Sequence, residues 1–393
     1  MINTTYSFSL LEEQLVAKNM IWSSIAKSNR SGKKSVIIVH GGLGTGKSLI
    51  GINVLSQALA KKKTAFFACK SKPLIEGINN KLNGNSKKLF TNLYNYVPSK
   101  VKENSLDLLL IDEAHRIEKT SNHTYTKKED HSDLPQVDQL IKAAKTSVFF
   151  IDDKQSVRSQ EIGSSSMIRD AAIRNKCEIK EITLNTQFRC NGSNEYIEWL
   201  DYILGYSNKK TSLAKADFDF KIFDNPNKLY EEIKQRDKNR PNSARVIAGF
   251  CWPWSKELDE NGEPIKDVKI GNDFAMPWET HMNVPKVPQG YVKWYEWGYK
   301  PEGIKQIGCI YTAQGFEFDY IGVIIGNDIK YCNSTGALVT DIANNCDPTL
   351  KKNKNTFDTH VRNIYRTLLT RGIKGCYVYF VNKETEHFFR NNM

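Results

Sequence analysis

The sequence predicts an α/β protein with parallel sheets, divided into two domains. Short apolar strands alternate with helical segments along most of the chain, which is the pattern of parallel sheets connected by helices. The chain of 393 residues is longer than a domain with a single hydrophobic core usually is. Hydrophobic residues make up 40% of it, which is enough for two cores. We therefore expect one domain over 1–195 and a second over 196–393.

The periodicity of apolar residues predicts each element in turn. In the first domain, the predicted elements are a helix at 10–26, a strand at 34–40, a helix ending near 62, and strands at 64–68, 106–111, 147–151 and 179–184. In the second domain, they are strands at 244–250, 307–311, 320–325 and 375–381 and a helix at 361–370. The segment 251–300 breaks this alternation with prolines, glycines and five of the seven tryptophans, so we interpret it as a small Trp-rich insertion.

The composition favours some partners and excludes several classes of site. A net charge of +12 favours a polyanion as partner, with nucleic acid as the first candidate, although a Lys- and Asn-rich composition can also reflect an AT-rich genome. The eight cysteines form no C-x-x-C pair, which argues against a zinc site or a disulfide framework. Neither a signal peptide nor a long apolar span is visible, so we expect a cytoplasmic protein without membrane contact.

The segment 41–48, Gly-Gly-Leu-Gly-Thr-Gly-Lys-Ser, carries the strongest chemical signal. It matches G-x-x-x-x-G-K-[ST] between a predicted strand and a predicted helix, the context of a phosphate-binding P-loop. Lys47 would reach the β- and γ-phosphate oxygens, and Ser48 would bind Mg²⁺. The backbone N–H groups expected to surround the phosphates are those of Gly41, Gly42, Leu43, Gly44, Thr45 and Gly46. The sequence therefore predicts an ATP and Mg²⁺ site.

Polar residues follow three more strands of the predicted first domain. Asp112 and Glu113 end a buried strand, where Asp112 would hold magnesium and Glu113 would orient and deprotonate the attacking water. Gln155 follows the next strand and could sense the γ-phosphate, and Arg189 follows the last one. The fixed fork of an arginine suits phosphoryl oxygens. These residues predict hydrolysis, because a kinase would need a substrate hydroxyl as nucleophile.

With the stretches 311–319 and 365–372, the chain resembles superfamily 1 DNA and RNA helicases, in particular the Schlafen-like bacterial group, over nearly its whole length. The resemblance implies two RecA-like domains with an ATP cleft between them. It implies that Arg371 and Arg189 act as arginine fingers, that Gln14 reads the adenine edge and that Phe188 stacks on the base. The further nucleotide contacts expected on this basis are Gly315 and Glu317. We treat the match of 112–115 to the Asp-Glu-Ala-His motif of superfamily 2 as coincidental.

The predicted partner is DNA or RNA in single-stranded form, held by basic and aromatic side chains. The candidate contacts are Lys70, Lys72, Thr312, Trp252 and Trp254. The two tryptophans have a second interpretation, because an insertion of fifty residues must also build a core of its own. Only about 40 residues separate 71–73 from Asp112, which leaves no room for a large accessory domain and argues against processive duplex unwinding.

The predicted function is ATP-dependent translocation on, or remodelling of, nucleic acid. The alternative is an ATP-gated switch that binds nucleic acid and acts through a partner protein, since we expect no effector domain within the chain. A nuclease is a further alternative, because Glu178-Ile-Lys180 with Asp170 upstream matches an acidic pair followed by Glu-x-Lys. The strand predicted at 179–184 explains that match without catalysis.

Overall fold

The computed structural model describes residues 10–42, 44–123 and 126–393. Their contacts form two compact units, which are described separately. The first unit takes the described residues up to Lys70 together with 84–154 and 160–187, and the second takes 71–83, 155–159 and 188–393. The predicted domain boundary at 195/196 stays a prediction.

The first unit is built on a six-stranded parallel sheet. Its strands are β1 (Ser35–Gly41), β2 (Ala65–Ala68), β3 (Phe90–Thr91), β4 (Leu106–Ile111), β5 (Ala144–Ile151) and β6 (Glu178–Leu184). Their order across the sheet is β3-β2-β4-β5-β1-β6, so β1 lies between β5 and β6, and β4 pairs with the other side of β5. The carboxyl ends of β1, β4 and β5 therefore meet at one edge of the sheet.

Helices cover both faces of this sheet. The helices along this part of the chain are α1 (Glu12–Ser31), α2 (Lys47–Ala60), α3 (Lys72–Lys81), α4 (Gln136–Ala143) and α5 (Ser165–Arg174), of which α3 belongs to the second unit. Gly32 caps the end of α1, because its φ of 68° lies in the left-handed region that favours glycine and its N–H donates to the carbonyl of Ser28. Ser164 caps the start of α5, since its hydroxyl accepts from the N–H of Met167.

Alternate side chains of each strand enter two separate cores. Leu109 and Phe149 belong to the cluster on one face, and Leu108 and Phe150 belong to the cluster on the other. Strands buried on both faces have continuous apolar runs, which explains why β1 and β4 were visible in the sequence. A sheet buried in this way is a rigid support for the loops at its edge.

The second unit contains a four-stranded parallel sheet. Its strands are β7 (Asp219–Phe223), β8 (Ala244–Ala248), β11 (Phe318–Ile325) and β14 (Gly372–Phe380), in the order β7-β14-β11-β8. Two antiparallel pairs accompany the sheet, namely β9 (Val268–Ile270) with β10 (Phe274–Met276) and β12 (Ile329–Cys332) with β13 (Ala337–Thr340). The helices after β6 are α6 (Asn194–Ile203), α7 (Pro226–Asn239), α8 (Ile310–Ala313), α9 (Pro348–Lys351), α10 (Lys354–Leu369) and α11 (Lys383–Asn391).

The strand predicted at 307–311 is wrong. Ile307 and Gly308 make only isolated bridges, with Trp278 and Ile247, and the chain then enters α8 at Ile310. A short apolar run is ambiguous between strand and buried helix, and the side chain of Thr312 favours the helix by accepting from the N–H of Cys309 at 3.1 Å.

The predicted α/β class with parallel sheets is confirmed. The segment 251–300 contains β9, β10 and one short helical turn at Trp294–Glu296, and it buries Trp278 and Trp297. No helix in the described part of the chain is long and apolar enough to span a bilayer.

Candidate functional site

The loop between β1 and α2 turns sharply at two glycines. Gly44 and Gly46 have φ values of 70° and 82°, in the left-handed region that other residues rarely adopt. Gly46 also lacks room for a side chain, because an added Cβ would lie 2.3 Å from the Nε2 atom of Gln14. The loop therefore exposes backbone at the start of α2, where N–H groups and the helix dipole favour an anion. Leu43, a predicted contact in this loop, lies outside the described residues.

The side chain of Lys47 folds back over this loop. Its ammonium donates to the carbonyl oxygens of Gly41 at 2.7 Å and Gly42 at 2.8 Å. Lys47 is 9% exposed, so the charge is held at the loop and not in bulk solvent. This position fits the phosphate oxygens of a nucleoside triphosphate, which would be stronger partners than neutral carbonyls.

Ser48 and Asp112 meet at the edge of the sheet. The Ser48 hydroxyl donates to Oδ2 of Asp112 at 2.6 Å, and Asp112 is 1% exposed. Burial, followed by the negative charge of Glu113, raises the pKa of Asp112 to about 6, and the Ser48 hydrogen bond and Lys47 oppose that rise. A divalent cation would favour the ionised carboxylate, so the pair fits Mg²⁺.

No group of three or more His, Cys, Asp or Glu side chains among the described residues is arranged to hold a metal ion. Mg²⁺ commonly binds through one or two protein oxygens together with substrate phosphates and water. One hydroxyl and one carboxylate beside a phosphate loop match that requirement.

Glu113 has a strained backbone and a buried neighbour. Its φ of 51° is in the left-handed region, and its N–H donates to Oδ1 of Asp112 at 3.0 Å. The Nε2 atom of His115 lies 3.2 Å from Oε2 of Glu113. Burial lowers the pKa of His115, against the opposing effect of Glu113, so the imidazole is neutral and can donate one hydrogen bond. His115 was missed as a functional candidate, although its position two residues after Glu113 was a usable signal.

Gln14 is connected to the phosphate loop. It is 4% exposed, and its Nε2 donates to the carbonyl of Thr45 at 3.1 Å while its Oε1 accepts from the N–H of Leu11 at 3.2 Å. The predicted contact with the adenine edge stays a prediction. The observed role of the amide is to support the loop.

Three predicted nucleotide contacts of the second unit are held by that unit's own groups. The guanidinium of Arg189 forms an ion pair with Glu317, with Nε 2.9 Å from Oε1. Arg371 is 2% exposed, and its guanidinium donates to the carbonyls of Thr367 at 3.1 Å and Phe316 at 3.3 Å. The structure thus fixes the orientation of both arginines within the unit, and their roles toward a nucleotide stay predictions.

The other second-unit candidates differ in exposure. Gln155 is 4% exposed, whereas Phe188 is 42% exposed. Gly315 has a φ of 93°, and a Cβ there would lie 3.1 Å from Leu74. Phe188 is therefore the one of the three with a large accessible apolar surface.

Two predicted nucleic-acid contacts, Lys70 and Thr312, have little accessible side-chain surface and contact acidic groups of their own units. The ammonium of Lys70 lies 2.6 Å from Glu118 and 3.5 Å from Glu161, and its side chain is 9% exposed. Thr312 is fully buried, and its hydroxyl donates to Oε1 of Glu279 at 3.0 Å. Both side chains thus take part in contacts within their own units, and their roles toward a nucleic-acid strand stay predictions.

Lys72 and its aromatic neighbours lie at the surface of the second unit. Lys72 is exposed, and its ammonium lies 4.4 Å from the ring centroid of Tyr295 and 5.8 Å from that of Trp294. Trp252 and Trp254 are half-buried, and their indole N–H groups donate to backbone carbonyls at 2.9 and 2.7 Å. Both tryptophans help to build the insertion, and each keeps part of its ring accessible.

Comparisons with known proteins agree with this chemistry. The family model for the Schlafen group 3 DNA/RNA helicase domain matches residues 34–382. The uncharacterized protein YPL245W of Saccharomyces cerevisiae is 27% identical in an alignment that covers 92% of this chain and 86% of the yeast protein. This relative comes from yeast, and the predicted bacterial origin has no support.

Similar solved structures are more distant. The Pif1 helicase from Candida albicans aligns over 98% of this chain and all of its own length, at 11% identity and a TM-score of 0.39. AMPPCP-bound DnaA from Aquifex aeolicus aligns over 53% of this chain and 56% of its own, at 15% identity and a TM-score of 0.26. Because these scores are low, family membership rests on the family model. That model covers most of the chain, including the phosphate loop and the acidic pair, and the chain therefore belongs to the Schlafen group 3 family of DNA/RNA helicase domains.

Proposed function

We propose that this protein hydrolyses ATP with Mg²⁺ and uses the reaction to move along, or remodel, single-stranded DNA or RNA. The observation that supports this most strongly is the 2.6 Å hydrogen bond between Ser48 and Asp112 beside the loop that holds the Lys47 ammonium. A hydroxyl and an ammonium at the start of α2, together with a carboxylate at the end of β4, suit a metal-bound triphosphate.

Four residues of the first unit would each have a role in this reaction. Lys47 would move from the loop carbonyls to the β- and γ-phosphate oxygens of the substrate, and Ser48 with Asp112 would hold the metal ion. When bound, Mg²⁺ would neutralise charge that develops on the phosphate oxygens. Glu113 would accept a proton from the attacking water, and the neighbouring His115 would keep its carboxylate oriented.

The second unit would contribute charge to the same reaction. We assign Arg371 and Arg189 as donors to the γ-phosphate and Gln155 as the residue that responds to its presence. The guanidinium of Arg371 is oriented by two neutral backbone carbonyls. An arginine oriented in this way suits an arginine finger, because its side chain loses less conformational entropy when it binds a phosphate.

The rate of phosphate release in the presence of different nucleic acids tests this proposal. We expect single-stranded DNA or RNA to stimulate release, with little or no stimulation by blunt duplexes. A rate that is slow and unaffected by every strand, together with ATP-dependent strand binding, would favour the alternative of a switch that acts through a partner protein.

A further inference from the structure

A cavity of about 530 Å³ lies within the second unit, bordered by the Trp-rich insertion, α8 and α9. Its size falls in the range of pockets that bind small ligands, which is roughly 300–1,000 Å³. None of its lining residues is among those assigned to the triphosphate. The cavity is therefore a separate candidate site.

Aromatic side chains form part of the wall. Phe250 and Trp254 line the cavity with ring centroids 6.1 Å apart, and His281 lies against Trp254 at 4.8 Å. Partial burial, followed by the nearby Lys256, lowers the pKa of His281, so its ring is neutral at physiological pH. These flat, neutral surfaces suit another flat, neutral ring.

A stacked cation extends this surface. The guanidinium of Arg158 lies 3.5 Å from the ring centroid of Tyr311, and both residues line the cavity. The Tyr311 hydroxyl donates to Asp347, and burial raises the pKa of Tyr311, so the phenol stays neutral. Unstacked bases bind on aromatic rings and on guanidinium planes.

Charge in the wall favours an anion. Three cations line the cavity, Arg158, Lys256 and Lys351, against one carboxylate, Asp347. That carboxylate is 2% exposed and already accepts from Tyr311 and from the N–H of Thr349. Lys256 and Lys351 are exposed, so they can reach a phosphate at the rim.

We propose that this cavity binds one unstacked base of a single-stranded nucleic acid, with its phosphate held by Lys256 and Lys351. The inference rests on the proposed function, because it names where the strand is gripped. A base stacked in a duplex cannot enter a cavity of this kind without leaving its helix, so the site selects unpaired nucleotides. Of the two tryptophans predicted to bind nucleic acid, Trp254 lines the cavity and Trp252 does not, so we assign the base contact to Trp254.

The test is the affinity of the full chain for a fluorescent single-stranded oligonucleotide, measured without ATP at several salt concentrations. We expect Trp254→Ala to weaken binding by about fivefold to a hundredfold, and Trp254→Phe to restore much of it. The double variant Lys256→Glu with Lys351→Glu should weaken binding. It should also lower the salt slope, the slope of the logarithm of the binding constant against the logarithm of the salt concentration, by about 0.7 in magnitude for each phosphate that the variant no longer neutralises. The exposed Lys228→Glu is the matched control and should bind as the wild type does.

Two results would overturn the inference. One is wild-type affinity and salt slope in both Trp254→Ala and the double lysine variant, each with an unchanged melting temperature. The other is tight binding of uridine or adenosine monophosphate without binding of any oligonucleotide, which would indicate a free nucleotide as ligand. Because these assays contain no ATP, strand binding through the cavity can hold even if hydrolysis fails, and the two claims are separable.

Discussion

The side-chain amide of Gln14 donates a hydrogen bond of 3.1 Å to the carbonyl of Thr45, inside the loop that precedes α2. The same amide leaves no room for a side chain at Gly46. Helix α1, which carries Gln14, is thus connected directly to the backbone that would surround the phosphates. Gln14 therefore supports the phosphate loop from a position 31 residues before Thr45.

Replacing Gln14 with Ala should weaken ATP binding by about fivefold, because one buried hydrogen bond contributes roughly 1 kcal/mol. Titration with a fluorescent ATP analogue measures this affinity. Gln57→Ala, on the same unit but ten residues along α2 from Lys47, is the matched control. An unchanged affinity in Gln14→Ala would show that the loop keeps its shape without the amide.

Replacing His115 with Ala should slow hydrolysis about tenfold or more while leaving the affinity for ATP unchanged, since the imidazole contacts Glu113 and not the phosphate loop. His115→Gln keeps a hydrogen-bond donor and should recover part of the rate. Single-turnover kinetics with a separate binding titration distinguish the two effects. A parallel loss of affinity and rate would mean that His115 has only a structural role.

Replacing Arg371 with Lys should lower the hydrolysis rate at least about a hundredfold, because an ammonium cannot reproduce the fork of an arginine finger. ATP affinity should change little. Arg366→Lys is the control, since Arg366 is also buried and lies on α10, five residues before Arg371, but pairs with Asp201. Equal rates in the two variants would remove Arg371 from the mechanism.

Glu279 predicts a pH dependence of stability in the second unit. Burial raises its pKa to about 7 from the ordinary 4.5. The folded state then binds the proton more tightly than the unfolded state does. The resulting contribution to the free energy of unfolding is complete below about pH 4.5 and is lost as the pH rises to about 7. The loss would be at most about 3 kcal/mol.

Denaturant unfolding at pH 5 and pH 8 measures that contribution. Wild type should lose stability between the two values by more than Glu279→Gln, which does not titrate. Glu257→Gln, an exposed substitution in the same insertion, should follow the wild type. Identical pH profiles for wild type and Glu279→Gln would contradict the assignment.

Local patterns in the sequence predicted the parts of the fold that depend on local chemistry. The strands β1 and β4 consist mostly of apolar residues, because both their faces are buried, and their bounds differ little from the prediction. Gly44, Gly46 and Lys47 form a motif whose spacing follows from a single turn. The roles of those residues toward a nucleotide remain predictions.

Contacts between distant parts of the chain determine the features that local sequence patterns did not predict. Lys70 follows β2 and looked like a surface cation, but Glu118 and Glu161 meet it from distant parts of the chain. The cavity in the second unit combines Arg158 with Trp254 and Lys351, which are separated by roughly a hundred residues at each step. No periodicity or motif in the sequence links these positions.

The most direct test of the central claim is phosphate release by Lys47→Ala and Glu113→Gln, with Lys33→Ala as an exposed control in the same unit. We predict that Lys47→Ala loses ATP binding and hydrolysis, and that Glu113→Gln binds ATP but hydrolyses it about a hundredfold or more slowly. Lys33→Ala should match the wild type. Wild-type rates in both site variants would contradict the assignment of the phosphate loop and the acidic pair as the hydrolytic site.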